Sequence, residues 1–216
     1  MHNVVNNLIT IKEKLQLNNS EKIPNIIAVS KTFSISDISP LINFGHIHFG
    51  ENKVQEAIEK WTDIKNDFKN IKLHMIGKLQ SNKAKQAVRL FDYIHSLDNL
   101  KLAEKISVEQ KKINKSVKIF IQINIGDENQ KSGIDIKNLK DFYNECINKF
   151  DLDIIGLMCI PPNTNDIKNY FVKMKNLSNE IKPKELSMGM SNDFVEASQN
   201  GATFIRVGSK IFGNRN

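Results

Sequence analysis

The sequence predicts an α/β fold: a single (β/α)8 TIM-like barrel with an extra N-terminal helix, one domain over residues 1–216. Three observations carry that expectation. Eight short apolar runs alternate with stretches of helical period, the pattern of parallel strands joined by crossover helices. A length of 216 residues suits eight such units at the small end of barrel sizes, and no linker marks a second domain. Only nine residues follow Val207, the end of the last strand, too few for a full outer helix. The helix at the start is then the natural cover for that side. A doubly wound open sheet is the other arrangement these elements allow.

Each element has its own signal. Val4, Leu8, Ile11 and Leu15 recur at helical spacing and make the first helix amphipathic. Residues 26–31 form an unbroken apolar run ending on a lysine, the mark of a strand buried on both faces. Ser36 or Asp37 can cap a short helix toward Phe44, which Gly45 ends. Residues 46–52 are a second strand and its exit, followed by a helix with Val54, Ala57, Ile58 and Trp61 on one stripe. Residues 73–77 are the third strand, and 82–91 a helix with Ala84, Ala87, Val88 and Phe91 inward. The fourth strand, 93–97, precedes a helix on Leu102, Ala103, Ile106 and Ile113. The β-branched run 117–124 is the fifth strand, and 136–150 a helix on Leu139, Phe142, Cys146 and Phe150. Residues 154–160 are the sixth strand, with Phe171, Met174, Leu177 and Ile181 on its helix. Strand seven, 185–188, leads to a short helix over 193–200, and 203–207 is strand eight.

Composition narrows the function. With 40% hydrophobic and 25% charged residues, the chain has the make-up of an ordinary globular protein. No window is apolar and long enough to span a bilayer, and the first residues lack a signal peptide's regions, so no membrane partner is expected. Cys146 and Cys159 have neither ligand spacing nor secretory context, which points to packed thiols in a reducing, cytoplasmic setting and to no metal. The net charge of +7 is carried by lysine apart from Arg89, Arg206 and Arg215, and the lysines mix with acids along helices. A nucleic-acid partner is therefore not expected.

In such barrels the reactive groups gather at the C-terminal ends of the strands. Side chains alternate along a strand, so Ile27, Val29 and Lys31 share a face. If that face looks into the barrel, the strand delivers a primary amine to its rim; the competing reading is a lysine marking the strand's wet end. In strand eight Thr203, Ile205 and Val207 suit helix packing, which turns Phe204, Arg206 and Gly208 inward. An inward arginine needs a partner. Gln122 and Asn124 also share one face. The loops after strands seven and eight are where barrels commonly bind phosphate. There Gly189 permits close backbone approach, Ser191 can cap the next helix, and Gly208-Ser209 supplies amides. With the amine and the arginine, this describes a pocket for a phosphorylated aldehyde. His46, His48 and His95 read as structural.

The residues also resemble a known family. Ala28-Val29-Ser30-Lys31-Thr32, Phe49-Gly50-Glu51-Asn52, His74-Met75-Ile76-Gly77 with Leu79-Gln80-Ser81-Asn82-Lys83, and Leu186-Ser187-Met188-Gly189-Met190-Ser191-Asn192-Asp193 are similar to motifs of the pyridoxal phosphate homeostasis proteins. So are Lys131-Ser132-Gly133, Gly156-Leu157-Met158, and Arg206-Val207-Gly208 with Ile211-Phe212-Gly213. Phe33 and Lys78 stand where members of the family often differ.

The resemblance implies a barrel related to the N-terminal domain of alanine racemase, binding pyridoxal 5'-phosphate as an internal aldimine on Lys31. Arg206 would face the pyridine nitrogen, with Asn52 and His74 near the ring. Ser187, Gly189, Ser191, Gly208 and Ser209, with Met188 among them, would hold the phosphate. The implied role is a carrier and buffer of the cofactor without robust turnover, with PLP-dependent apoenzymes as candidate recipients and a monomer as the expected state. The alternatives are a PLP-dependent amino-acid racemase of low activity and a Schiff-base aldolase, which needs a carboxylate that only Glu51 offers.

Overall fold

The computed structural model describes residues 2–18, 23–128, 132–164 and 166–213, so Lys131 of the quoted motifs lies outside the described residues. Helix α1 (Asn3–Asn18) comes first and buries Val4, Val5, Leu8, Ile11 and Leu15. Then β1 (Asn25–Val29), α2 (Ile35–Asn43), β2 (His48–Glu51), α3 (Val54–Asp67) and β3 (Lys72–Met75) follow. Next are α4 (Ala84–Leu90), β4 (Tyr93–Leu97), α5 (Leu100–Ile113), β5 (Lys118–Ile123) and α6 (Leu139–Asn148). The chain continues through β6 (Ile154–Cys159), α7 (Ile167–Ser178), β7 (Glu185–Ser187), α8 (Phe194–Gln199), β8 (Phe204–Val207) and α9 (Ser209–Phe212).

All eight strands are parallel and close in chain order, with β8 pairing back onto β1 through Asn25–Phe204 to Ala28–Val207. Closure excludes the open sheet. Alternation along each strand divides the apolar side chains into two layers. Ile27, Tyr93, Phe120, Met158 and Phe204 fill the barrel interior. Ile26, Ala28, Ile205 and Val207 join the layer between sheet and helices. Arg206 and Phe204 thus face inward, as the strand-eight pattern predicts.

Two local details differ from the sequence reading. Helix α2 is capped by Ser34, not Ser36 or Asp37: the Ser34 amide donates to Asp37 Oδ2 at 3.0 Å and its hydroxyl accepts the Asp37 amide. The helices expected over 82–91 and 136–150 each begin as a 3₁₀ turn, Ser81–Lys83 and Ile136–Asn138. After β8 the chain makes only the four-residue α9. Helix α1 packs against α2, α8 and α9, and Asn7 Nδ2 donates to the Ile211 carbonyl at 2.9 Å. It covers the side that a full eighth helix would otherwise occupy. Burying Leu8 and Leu15 there contributes about 1.5–3 kcal/mol apiece.

Candidate functional site

A cavity of about 700 Å³ opens at the C-terminal mouth of the barrel, with Val29, Lys31, Asn52, Arg206 and Gly208 on its walls. Lys31 reaches it because β1 alternates. Ser30 turns outward, where its hydroxyl donates to Glu51 Oε1 at 2.8 Å, and Lys31 takes the opposite side with Ile27 and Val29. The chain then turns sharply at Thr32, whose φ of 70° is unusual for a β-branched residue. The Glu56 carboxylate accepts the Thr32 amide at 2.6 Å and holds the turn.

Arg206 rises from β8 and is 5% exposed. Its Nη1 donates to Ser187 Oγ and its Nη2 to the Cys159 carbonyl, both at 2.8 Å. It forms no ion pair among the described residues. Burial pulls its pKa below the usual arginine value, and it remains a cation near neutrality. Asn52 lies against Gly77, where a β-carbon would run into the Asn52 carbonyl oxygen; only glycine lets the loop after β3 sit so close. The side-chain oxygen of Asn52 is buried on the cavity wall without a hydrogen-bond partner.

Six of the ten residues singled out from the sequence line the cavity: Lys31, Asn52, Ser191, Arg206, Gly208 and Ser209. Ser191 does not cap α8. Its hydroxyl accepts the Gly208 amide at 3.3 Å, tying together the loops after β7 and β8, so that amide is engaged and not free. The other four stand back from the wall. Gly189 is a packing and turn glycine, with φ of 90°, a carbonyl accepting the Arg206 amide at 2.9 Å, and Ala197 where a side chain would go. Met188 is fully buried between sheet and helices. The Ser187 hydroxyl is engaged by Arg206 and His95 inside the barrel. His74 is also wholly buried below the cavity.

His74 stands in a file the sequence did not reveal. His95 Nδ1 lies 2.9 Å from Ser187 Oγ, His95 Nε2 2.9 Å from His74 Nδ1, and His74 Nε2 2.9 Å from His48 Nδ1. Burial holds His74 and His95 well below the usual histidine pKa and brings His48 down to about 4, so all three rings are neutral at pH 7. A signal was present, since His48, His74 and His95 each sit on an inward position of consecutive strands.

Glu51 lies on the outer face of the sheet, fully buried, its Oε1 accepting from Ser30, from Lys60 at 3.0 Å and from Trp61 at 2.9 Å. It is not on the cavity wall; the carboxylate there is Asp193, whose Oδ1 accepts the Met190 amide. Tyr93, Tyr143 and Tyr170 are off that wall too. The cavity therefore offers an amine, a buried guanidinium with no ion pair and an acceptor with no partner among the described residues, beside the engaged Asp193 carboxylate, a set that suits an anionic aldehyde.

Comparison with known proteins identifies the family and the fold. The family model for the alanine racemase N-terminal domain matches residues 2–216. The pyridoxal phosphate homeostasis protein of Haemophilus influenzae is 37% identical, covering 99% of this chain and 97% of that protein. PipY of Synechococcus elongatus PCC7942, solved with PLP bound, superposes with a TM-score of 0.85 at 33% identity, over 97% of this chain and 100% of that one. An alanine racemase from Clostridium difficile 630 shares the fold, with a TM-score of 0.76 at 15% identity, but this chain covers 57% of it. On these grounds the chain belongs to the pyridoxal phosphate homeostasis protein family.

Proposed function

We propose that this chain, acting as a single domain over residues 1–216, binds pyridoxal 5'-phosphate covalently through Lys31 and carries and buffers it without robust turnover. The observation that carries the reading is the convergence of Lys31, Arg206 and the unpartnered Asn52 oxygen on one cavity. Lys31 supplies the amine that captures the aldehyde. Arg206 supplies a fixed positive charge and donors toward the ring nitrogen, and Asn52 an acceptor that nothing among the described residues satisfies. Ser191, Gly208 and Ser209, on the joined loops after β7 and β8, suit the phosphate. When bound, pyridoxal 5'-phosphate supplies an aldehyde that condenses with amines and a ring that draws electrons from them.

A racemase needs an acid–base group on each side of its substrate, and such a group contributes about 10²–10⁴-fold each. No tyrosine lies on the wall, Glu51 is engaged on the far side of the sheet, and the wall's carboxylate, Asp193, is held by the Met190 amide. The site is thus one-sided, suited to holding the cofactor and passing it to another amine, such as that of an apoenzyme. We read the chain as a monomer, and its two buried free thiols accord with work in the reducing cytoplasm.

The test is an absorbance spectrum of the purified chain with pyridoxal 5'-phosphate, before and after borohydride reduction, with mapping of the modified lysine. A visible band that Lys31→Ala abolishes, with the label on Lys31, is the expected result. Labelling elsewhere ends the reading of Lys31, and sustained turnover of a D- or L-amino acid, lost in Lys31→Ala, ends the carrier reading.

A further inference from the structure

The hydrogen-bonded file beneath the cavity begins at Arg206 on the wall and ends at His48, the first residue of β2, at the opposite end of the barrel. Five strands contribute one residue each, and its direction follows from donor counting. A guanidinium has only donors, so Ser187 Oγ accepts from Arg206. Ser187 is fully buried, and the other partner of its hydroxyl is His95 Nδ1. If that nitrogen carried the proton, the Ser187 O–H would lack an acceptor, a costly state for a buried donor. Ser187 therefore donates to His95 Nδ1. His95 then carries its proton on Nε2 and donates to His74 Nδ1, and His74 donates from Nε2 to His48 Nδ1.

Each group in the file thus turns its accepting atom toward Arg206 and its donating atom away. Aligned dipoles of this kind strengthen one another in a low-dielectric interior. They lie against a buried cation that has no ion pair among the described residues, only the Asp193 carboxylate acting on it from beyond pairing distance, and a poorly compensated buried charge is expensive. The rings cannot turn away easily, since His74 stacks on Tyr93 with centroids 4.2 Å apart and His95 on Phe120 at 4.3 Å.

We propose that His48, His74, His95 and Ser187 are positioning residues, a neutral one-way file that holds the Arg206 guanidinium charged and aimed at the cavity where no carboxylate pairs with it directly. A carboxylate there would cancel much of the field that an anionic ligand meets. Neutral dipoles stabilise the cation and leave that field standing. The functional half of the proposal rests on the cofactor reading of the cavity; the tautomers do not.

Two measurements test it. Long-range ¹H–¹⁵N NMR on the full chain without cofactor, at pH 7, should find His74, His95 and His48 protonated on Nε2 and bare on Nδ1. A proton on Nδ1 of His95 or His74 overturns the file, whatever the cavity binds. The second compares His95→Phe, which keeps the stacked ring but removes the acceptor, with His95→Asn, which returns an acceptor toward Ser187. Spectral titration with pyridoxal 5'-phosphate should show His95→Phe binding about tenfold more weakly, with a displaced visible band. His95→Asn should recover most of both. If the two variants behave alike, the positioning role is wrong. If the wild-type chain takes up no pyridoxal 5'-phosphate, the cofactor reading falls, and the tautomers still decide the file.

Discussion

At Asn52 the chain buries an amide oxygen on the cavity wall, and none of the described residues satisfies it. An unmet buried acceptor costs about 1–3 kcal/mol, which a ligand donor would recover on binding. Asn52→Ala is therefore expected to weaken pyridoxal 5'-phosphate binding by about tenfold. It should leave the unloaded chain at least as stable as before, because it removes a buried acceptor that had no partner among the described residues. Spectral titration and denaturant melts of the unloaded protein check the two halves; a large loss of stability with unchanged affinity would make Asn52 a structural residue. At this scale the inward faces of Lys31 and Arg206 were legible, since a period of two assigns faces directly. Depth was not. Ser187 and Arg206 share the interior, yet one lines the cavity and the other sits beneath it.

The elements show the same division. The stripe of α3 foretold that Trp61 would be buried, and its ring packs on Phe49 with centroids 4.9 Å apart. The stripe could not foretell that Trp61 Nε1 would donate to Glu51 Oε1, because that bond depends on which strand α3 covers. Glu51 is fully buried beside Lys60, so each donor to its carboxylate matters. Trp61→Phe keeps most of the packed volume and deletes the donor. It is expected to destabilise the chain by about 1–3 kcal/mol, with cofactor affinity unchanged. Urea unfolding measures the first, spectral titration the second, and an unchanged urea midpoint would show that Trp61 acts by packing alone. The Ser34 cap was misread because Ser34, Ser36 and Asp37 are all good cap residues, and only the path of the chain out of the Thr32 turn selects among them.

Across the whole molecule, the buried imidazoles make stability depend on pH. Burial, the largest cause in each case, lowers His46 and His48 to about 4 and His74 and His95 well below the usual value. Unfolded histidines titrate near 6.5, so between that pH and the folded values the unfolded chain binds more protons. Protonation there favours unfolding. Stability should be full above about pH 6.5 and fall as pH drops toward 4, by about 1.4 kcal/mol per pH unit for each histidine that must stay neutral. Glu56 and Glu109, whose pKa values are lowered, act below that window, since their stabilisation is lost only under the ordinary carboxylate range. Urea midpoints at pH 7 and pH 5.5 test this. No change between them would mean that water or movement relieves the buried rings.

By itself the sequence determined the order of the elements, the inward and outward faces of the strands, and the placing of an amine and an arginine toward the barrel's interior. These follow from local periodicity, which each segment carries within a few residues. Only the tertiary structure decided how deep each inward residue lies and which ones meet. His95 and Ser187 are 92 positions apart, and Gly50, His74 and Tyr93 are neighbours only through the pairing of β2, β3 and β4. That register is set by the stagger of the closed sheet and the packing of all eight strands at once, a property no single segment contains.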